Sequence, residues 1–138
     1  AQGLALASSG TAIVVADYAR GIGMVDMLTK ATHWLPGQDG KALRGVDGLI
    51  RCGDGFFGIQ NGTSPGVLVA IRPMGNRVAV GRPLGERPLP DPTQIAFDGR
   101  RLLIVAHSGW ANIDRAGFVR TKGAAVVAVP LRRDCKVE

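Results

Sequence analysis

An all-β chain is what this sequence predicts, and three observations carry the prediction. Short runs rich in Val, Ile, Leu and Ala are separated by glycine, proline and Asx turns, which favours strands over helices. Gly and Pro number 20 and 8 among 138 residues, a share suited to many short strands and tight turns. The same strand–turn–strand design also recurs along the chain: Q-G-L-A-L…T-A-I-V-V-A-D, then D-G-L-I-R…F-F-G-I-Q-N, then T-Q-I-A-F…L-L-I-V-A-H.

In the first copy, Gln2–Leu6 and the β-branched run Thr11–Ala16 flank a Ser8-Ser9-Gly10 turn, and Asp17-Tyr18 closes the hairpin. Ile22–Met27 and Lys30–Leu35 supply a third and a fourth strand, stopped by Pro36-Gly37, and a polar loop runs to Arg44. The second copy pairs Gly48–Cys52 with Phe56–Gln60 across Gly53-Asp54-Gly55. Val67–Arg72 and Arg77–Val80 follow as its outer strands. Gly81–Pro92 carries four prolines, which excludes a helix or a central strand and leaves an irregular connector. The third copy consists of Thr93–Phe97, an Asp98-Gly99 turn, Leu102–Ala106, a long polar loop from His107 to Gly123, and the apolar strand Ala124–Leu131. A polar tail with no fourth strand ends it.

The period is about 45 residues with four strands per complete copy, the length and strand count of β-propeller blades. The fold expected is therefore three four-stranded antiparallel blades, approximately residues 1–45, 46–91 and 92–134, the last without its outer strand. A ring needs at least about four blades. Residues 1–138 are thus expected to be the C-terminal half of a propeller of six blades, with the N-terminal half as its missing partner. A β-sandwich and the pairing of two chains into one ring remain as alternatives.

Composition narrows the function classes. The net charge of +6 invites nucleic-acid binding, but the arginines are scattered singly apart from Arg100–Arg101 and Arg132–Arg133, and no basic stripe is interleaved with aromatics. The expectation is a small-molecule substrate with neither nucleic acid nor membrane as partner, since no run approaches the roughly 20 apolar residues of a membrane helix. Cys52 and Cys135 are too few and too far apart for a zinc site or a redox pair, and the expectation for Cys135 is a free thiol. No nucleophile elbow or phosphate-cradling loop before a helix is present.

In a propeller blade, the innermost strand starts at the rim to which the second strand returns. The positions sharing that rim are Gln2, Asp47 and Thr93 before the inner strands, and Asp17, Asn61 and His107 after the second ones. All six are polar beside apolar strands. Oxygen ligands converging on a channel mouth suit a hard divalent cation, calcium first, which polarises a carbonyl and activates water. Asp47 and Gln2 are the candidate metal ligands. Asp17, Asn61, Thr93 and Trp110 are candidate lining of the substrate mouth. His107 is the candidate catalytic base, since histidine's ordinary pKa suits proton transfer near neutrality. Asp and Asn at strand ends equally serve turns by bonding their own backbone.

The phrases G-L-A-L…G-T-A-I-V-V-A-D-Y at Gly3–Tyr18, V-D-G-L at Val46–Leu49 and L-L-I-V-A-H-S-G-W at Leu102–Trp110 resemble the calcium-dependent six-bladed propeller superfamily. That superfamily includes gluconolactonases, regucalcin, paraoxonases and strictosidine synthase-like proteins. The resemblance implies a metal at Asp47, in its D-G context, with Gln2 where many relatives have Asn and His107 where the phrase usually has Asn. It implies a metal-assisted hydrolase of a lactone or related ester. A non-catalytic propeller of the NHL-repeat type, binding a protein or small molecule across its mouth, is the competing expectation.

Overall fold

The computed structural model describes residues 1–84, 88–109, 113–114, 117–118 and 123–137. Every regular element among them is a strand: β1 (Gly3–Leu6), β2 (Ala12–Asp17), β3 (Gly21–Asp26), β4 (Thr32–Leu35), β5 (Val46–Cys52), β6 (Gly55–Gln60), β7 (Val67–Met74), β8 (Arg77–Gly81), β9 (Ile95–Phe97), β10 (Arg101–Ala106), β11 (Ile113–Asp114), β12 (Gly117–Phe118) and β13 (Ala125–Pro130). They form two four-stranded antiparallel sheets in the orders β1-β2-β3-β4 and β5-β6-β7-β8, and a three-stranded sheet ordered β9-β10-β13. The long polar loop expected between His107 and Gly123 contains a small hairpin, β11 with β12.

The three sheets stack face to face, and the burial pattern follows from that. The middle sheet is covered on both faces, so its two central strands are largely buried, five of the six residues of β6 and four of the first five of β7, whereas the edge strand β8 buries Val78 alone. Period-2 alternation disappears in β6 and β7 because both faces meet apolar neighbours. Phe56, Val67, Val69 and Ile71 point toward the first sheet and join Val14, Ala16, Ile22 and Leu35. Phe57, Ile59 and Leu68 point the other way, onto Leu102, Ile104 and Val129 of the third sheet. The outer sheets are covered on one face, and alternation survives in their second strands, as in Ala12, Val14 and Ala16 of β2 and Leu102, Ile104 and Ala106 of β10. Their other faces leave Leu4, Leu6 and Val126 exposed. The sheets do not close on themselves.

Glycines set how near the sheets come at the leading strands. A Cβ on Gly3 would stand 2.7 Å from Leu49 Cβ and 2.8 Å from the Asp47 carbonyl oxygen, and one on Gly48 would stand 2.9 Å from the Ile95 nitrogen. The repeated X-Gly at the start of β1 and β5 thus permits contact with the next sheet's first strand. The Gly48 N–H donates across this junction to the Thr93 carbonyl at 3.1 Å.

The cysteine expectation is corrected. Cys52, at the end of β5, and Cys135, in the tail after β13, form a disulfide with their Cα atoms 5.8 Å apart. The tail is turned back by the Leu131–Val137 bridge and by the Cys135 N–H donating to the Arg132 carbonyl, which brings Cys135 under the middle sheet. A spacing of 83 residues says nothing about proximity once two packed sheets fold those positions onto one end.

Candidate functional site

The rim shared by the strand starts and returns is built around Asp47 and Asn61. β5 pairs with β6 in regular register from Leu49 to Cys52, but the register shifts between Val46 and Leu49. This bulge releases Asp47 and Gly48 from the ladder, turning the Gly48 N–H to the third sheet and leaving the Asp47 carboxylate free for the rim. Asn61, one residue past β6, has its backbone N–H bonded to the Gly45 carbonyl at 3.0 Å. Its Nδ2 donates to Asp47 Oδ2 at 3.0 Å and to the Pro92 carbonyl at 2.9 Å. One amide thus ties the middle hairpin to the connector that leads into the third sheet.

Two features of this pair are chemically unusual. Burial pushes the Asp47 carboxyl above the ordinary carboxylate range, and the hydrogen bond from Asn61 offsets part of that rise. The Asn61 Oδ1 is buried and accepts no hydrogen bond from any described residue. A buried unsatisfied acceptor costs about 1–3 kcal/mol and calls for a donor or a cation.

The other expected positions fare differently. Gln2 is exposed, and its backbone N–H donates to the Ala16 carbonyl at 2.8 Å; its neighbour Gly3 packs on the Asp47 carbonyl. Gly3, not Gln2, thus makes the approach to Asp47, and Gln2 is exposed. Thr93 is buried, 7 % exposed, at the junction of the second and third sheets. Asp17 serves its own turn: Oδ1 accepts the Ala19 and Arg20 N–H groups at 3.1 and 2.9 Å. Those bonds, Arg20's above all, hold its carboxyl below the ordinary range. His107 lies just past β10 with φ 51°, its side chain exposed and its N–H donating to the Pro90 carbonyl at 2.8 Å. Trp110 lies outside the described residues.

Sequence reasoning missed Asp91, which organises the approach to His107. With φ 43°, it accepts Ser108 Oγ and the Gly109 N–H on Oδ2, at 2.9 and 2.6 Å, and its carbonyl accepts the Ser108 N–H. The P-D-P string in the connector was the available signal, since an Asp between prolines sits in fixed irregular backbone.

Among the described residues, no group of three or more His, Cys, Asp or Glu side chains is assembled to hold a metal. The rim's donors toward a cation are the Asp47 carboxylate and the orphaned Asn61 Oδ1, hard oxygens that suit calcium in kind but form a minority of the six to eight it takes. A depression of about 870 Å³ lies not at this rim but at the other end of β5, around Cys52, Gly53 and the tail. No protein-family description, characterised protein or solved structure matched the chain in comparisons with each.

Proposed function

We propose that this chain belongs to a propeller-type, metal-assisted hydrolase acting on a lactone or related ester, with its catalytic rim at Asp47. The reading takes the three sheets as consecutive blades of a ring of six, completed by residues outside these 138. The exposed apolar residues Leu4, Leu6 and Val126 on the two outer faces support it. The observation that carries the site is the buried Asn61 Oδ1, without a partner among the described residues, beside a half-buried carboxylate at a β-bulge. Asp47 and Asn61 would hold a divalent cation, calcium by the hardness of the donors, with Gln2 at the edge of the set. When bound, such an ion supplies Lewis-acid polarisation of a carbonyl. Asn61 orients the Asp47 carboxylate through its Nδ2. In this reading His107, exposed just past β10, would move the proton in solvent-accessible space.

The competing reading is a non-catalytic NHL-type propeller that binds a partner across the mouth. It is favoured by the scarcity of acidic ligands: Asp17 is committed to its own turn, and Thr93 is neutral and buried.

Calcium titration with thermal melting separates the two. Calcium at about 100 times its Kd stabilises a one-site protein by about 2.7 kcal/mol, which is about 9 °C for a domain of this size. Asp47→Asn should abolish the shift, and lactone hydrolysis should fall with it. No shift at millimolar calcium would overturn the metal site. A shift that survives in the variant would overturn the assignment to Asp47.

A further inference from the structure

The two basic pairs that stand apart in sequence meet at the end of the sheets opposite the Asp47 rim. Arg101 is the register partner of Pro130, and the Leu131 N–H donates to the Arg100 carbonyl at 2.9 Å, so Arg100–Arg101 and Arg132–Arg133 lie side by side. The disulfide holds the tail there. Lys136 joins them, and the ion pairs among these described residues run to Asp98 and Asp134, while Asp54 lines the adjoining depression with Arg133 and Lys136.

The Asp98 and Asp134 carboxylates are already engaged. Asp98 takes Arg101 through Nε and Nη2 at 2.9 and 2.8 Å, and also accepts the backbone N–H groups of Arg100 and Arg101. Asp134 takes Lys136 at 3.0 Å and Arg132 at 3.8 Å. Arg100 and Arg133 have no side-chain partner among the described residues, and both line one cleft of about 420 Å³ together with Phe97, Leu131 and Cys135. Two guanidinium groups without an acidic partner among the described residues, around a partly apolar floor, suit a planar or tetrahedral oxyanion: each offers a fork of donors, and the floor weakens screening by water.

We propose that this cleft binds a tetrahedral oxyanion, a sulfate or phosphate group, between Arg100 and Arg133. Two sources share that chemistry, the free inorganic anion and an ester carried on a carbohydrate. The disulfide favours either over nucleic acid, because disulfides persist in oxidising compartments. The site is independent of any reaction at the Asp47 rim.

The test measures binding of sodium phosphate and of a heparin-derived tetrasaccharide at low ionic strength, for the wild type and for Arg100→Ser, Arg133→Ser and the double variant. An Arg20→Ser/Arg44→Ser variant carries the same charge change on the other rim. Each cleft substitution is expected to weaken binding about tenfold, the effect of one charge-assisted hydrogen bond, while melting stays near wild type because both arginines are on the surface. Arginine Nε signals of the unmodified protein should shift for two residues at saturation, which reads the site without any variant. Saturable binding of the tetrasaccharide alone identifies the ester as ligand, and equal occupancy by phosphate identifies the free anion. Three results would each overturn the site: no saturable binding of either probe, equal weakening by the control variant, or equal affinity for a single-stranded oligonucleotide of the same charge, the mark of diffuse attraction.

Discussion

Removing the disulfide perturbs the fold at a point where the size of the effect can be worked out. Cys52 and Cys135 close a loop of 83 residues, more than half of the chain. In the chain-entropy treatment, a cross-link over that separation lowers the entropy of the unfolded state by about 15 cal/mol/K, or about 4.6 kcal/mol at 25 °C. A domain of this length unfolds with an entropy of about 0.29 kcal/mol/K near its melting point, so the melting temperature should fall by about 16 °C. Cys52→Ala/Cys135→Ala is the cleaner variant, because alanine leaves no unpaired hydroxyl where Cys52 is 7 % exposed. Differential scanning calorimetry of the variant, and of the wild type with and without reductant, supplies the comparison. Intact mass before and after alkylation confirms the redox state. The double variant and the reduced wild type should melt together, both well below the oxidised protein. A difference under about 3 °C between oxidised and reduced protein would refute the reasoning, since the tail would then be held by its backbone bridge and packing alone.

Two further substitutions test the junctions between sheets and the rim. Gly48→Ala forces a methyl to within 2.9 Å of the Ile95 backbone nitrogen and 3.1 Å of the Gln94 Cα; urea unfolding should show a loss of about 1–3 kcal/mol, and an unchanged midpoint would mean the sheets can slide apart there. Burial raises the Asp47 pKa above its unfolded value of 3.8, so the folded state holds the proton more tightly than the unfolded chain. Its contribution is therefore most favourable below about pH 3.8 and is lost as pH rises through the folded pKa. Without divalent cations, Asp47→Asn should gain stability relative to wild type as pH increases from 4 toward neutrality. Parallel stability–pH curves for the two proteins would show that the carboxyl is not desolvated.

The hairpins and their order were legible because they rest on local signals. Gly10, Gly53 and Gly99 all take positive φ in the turns between paired strands, and the strands between them alternate or run apolar according to how many faces are covered. The hairpin from Asp47 to Asn61 was legible for the same reason, and its two ends do meet. What could not be read was long-range. Nothing near Cys52 announces Cys135, nothing in P-D-P announces Ser108 and Gly109, and two arginine pairs about 30 residues apart converge only because β10 and β13 are neighbours. The bulge at Asp47–Gly48 was hidden as well: D-G is as good a turn as a bulge until the Thr93 carbonyl is present to take the Gly48 N–H.

The three residues that end the second strands show how the following chain decides a rim residue's role. Asp17 enters a four-residue turn, whose nearby N–H groups saturate one carboxylate oxygen. His107 leaves β10 in a left-handed conformation, fixed by Pro90 behind it, and its side chain faces solvent. The connector of residues 88–92 meets both His107 and Asn61, but it takes His107 through its backbone N–H and Asn61 through its side-chain amide, which donates to the Pro92 carbonyl. The Asn61 amide therefore spends both donors on Asp47 and Pro92 and buries an oxygen to which no described residue donates. Equivalence of position in a repeat supplies the polar group, and the neighbouring sheet determines whether that group stays a turn former or becomes an unsatisfied acceptor beside a desolvated carboxylate. Any chemistry at this rim must start from that one asymmetric pair.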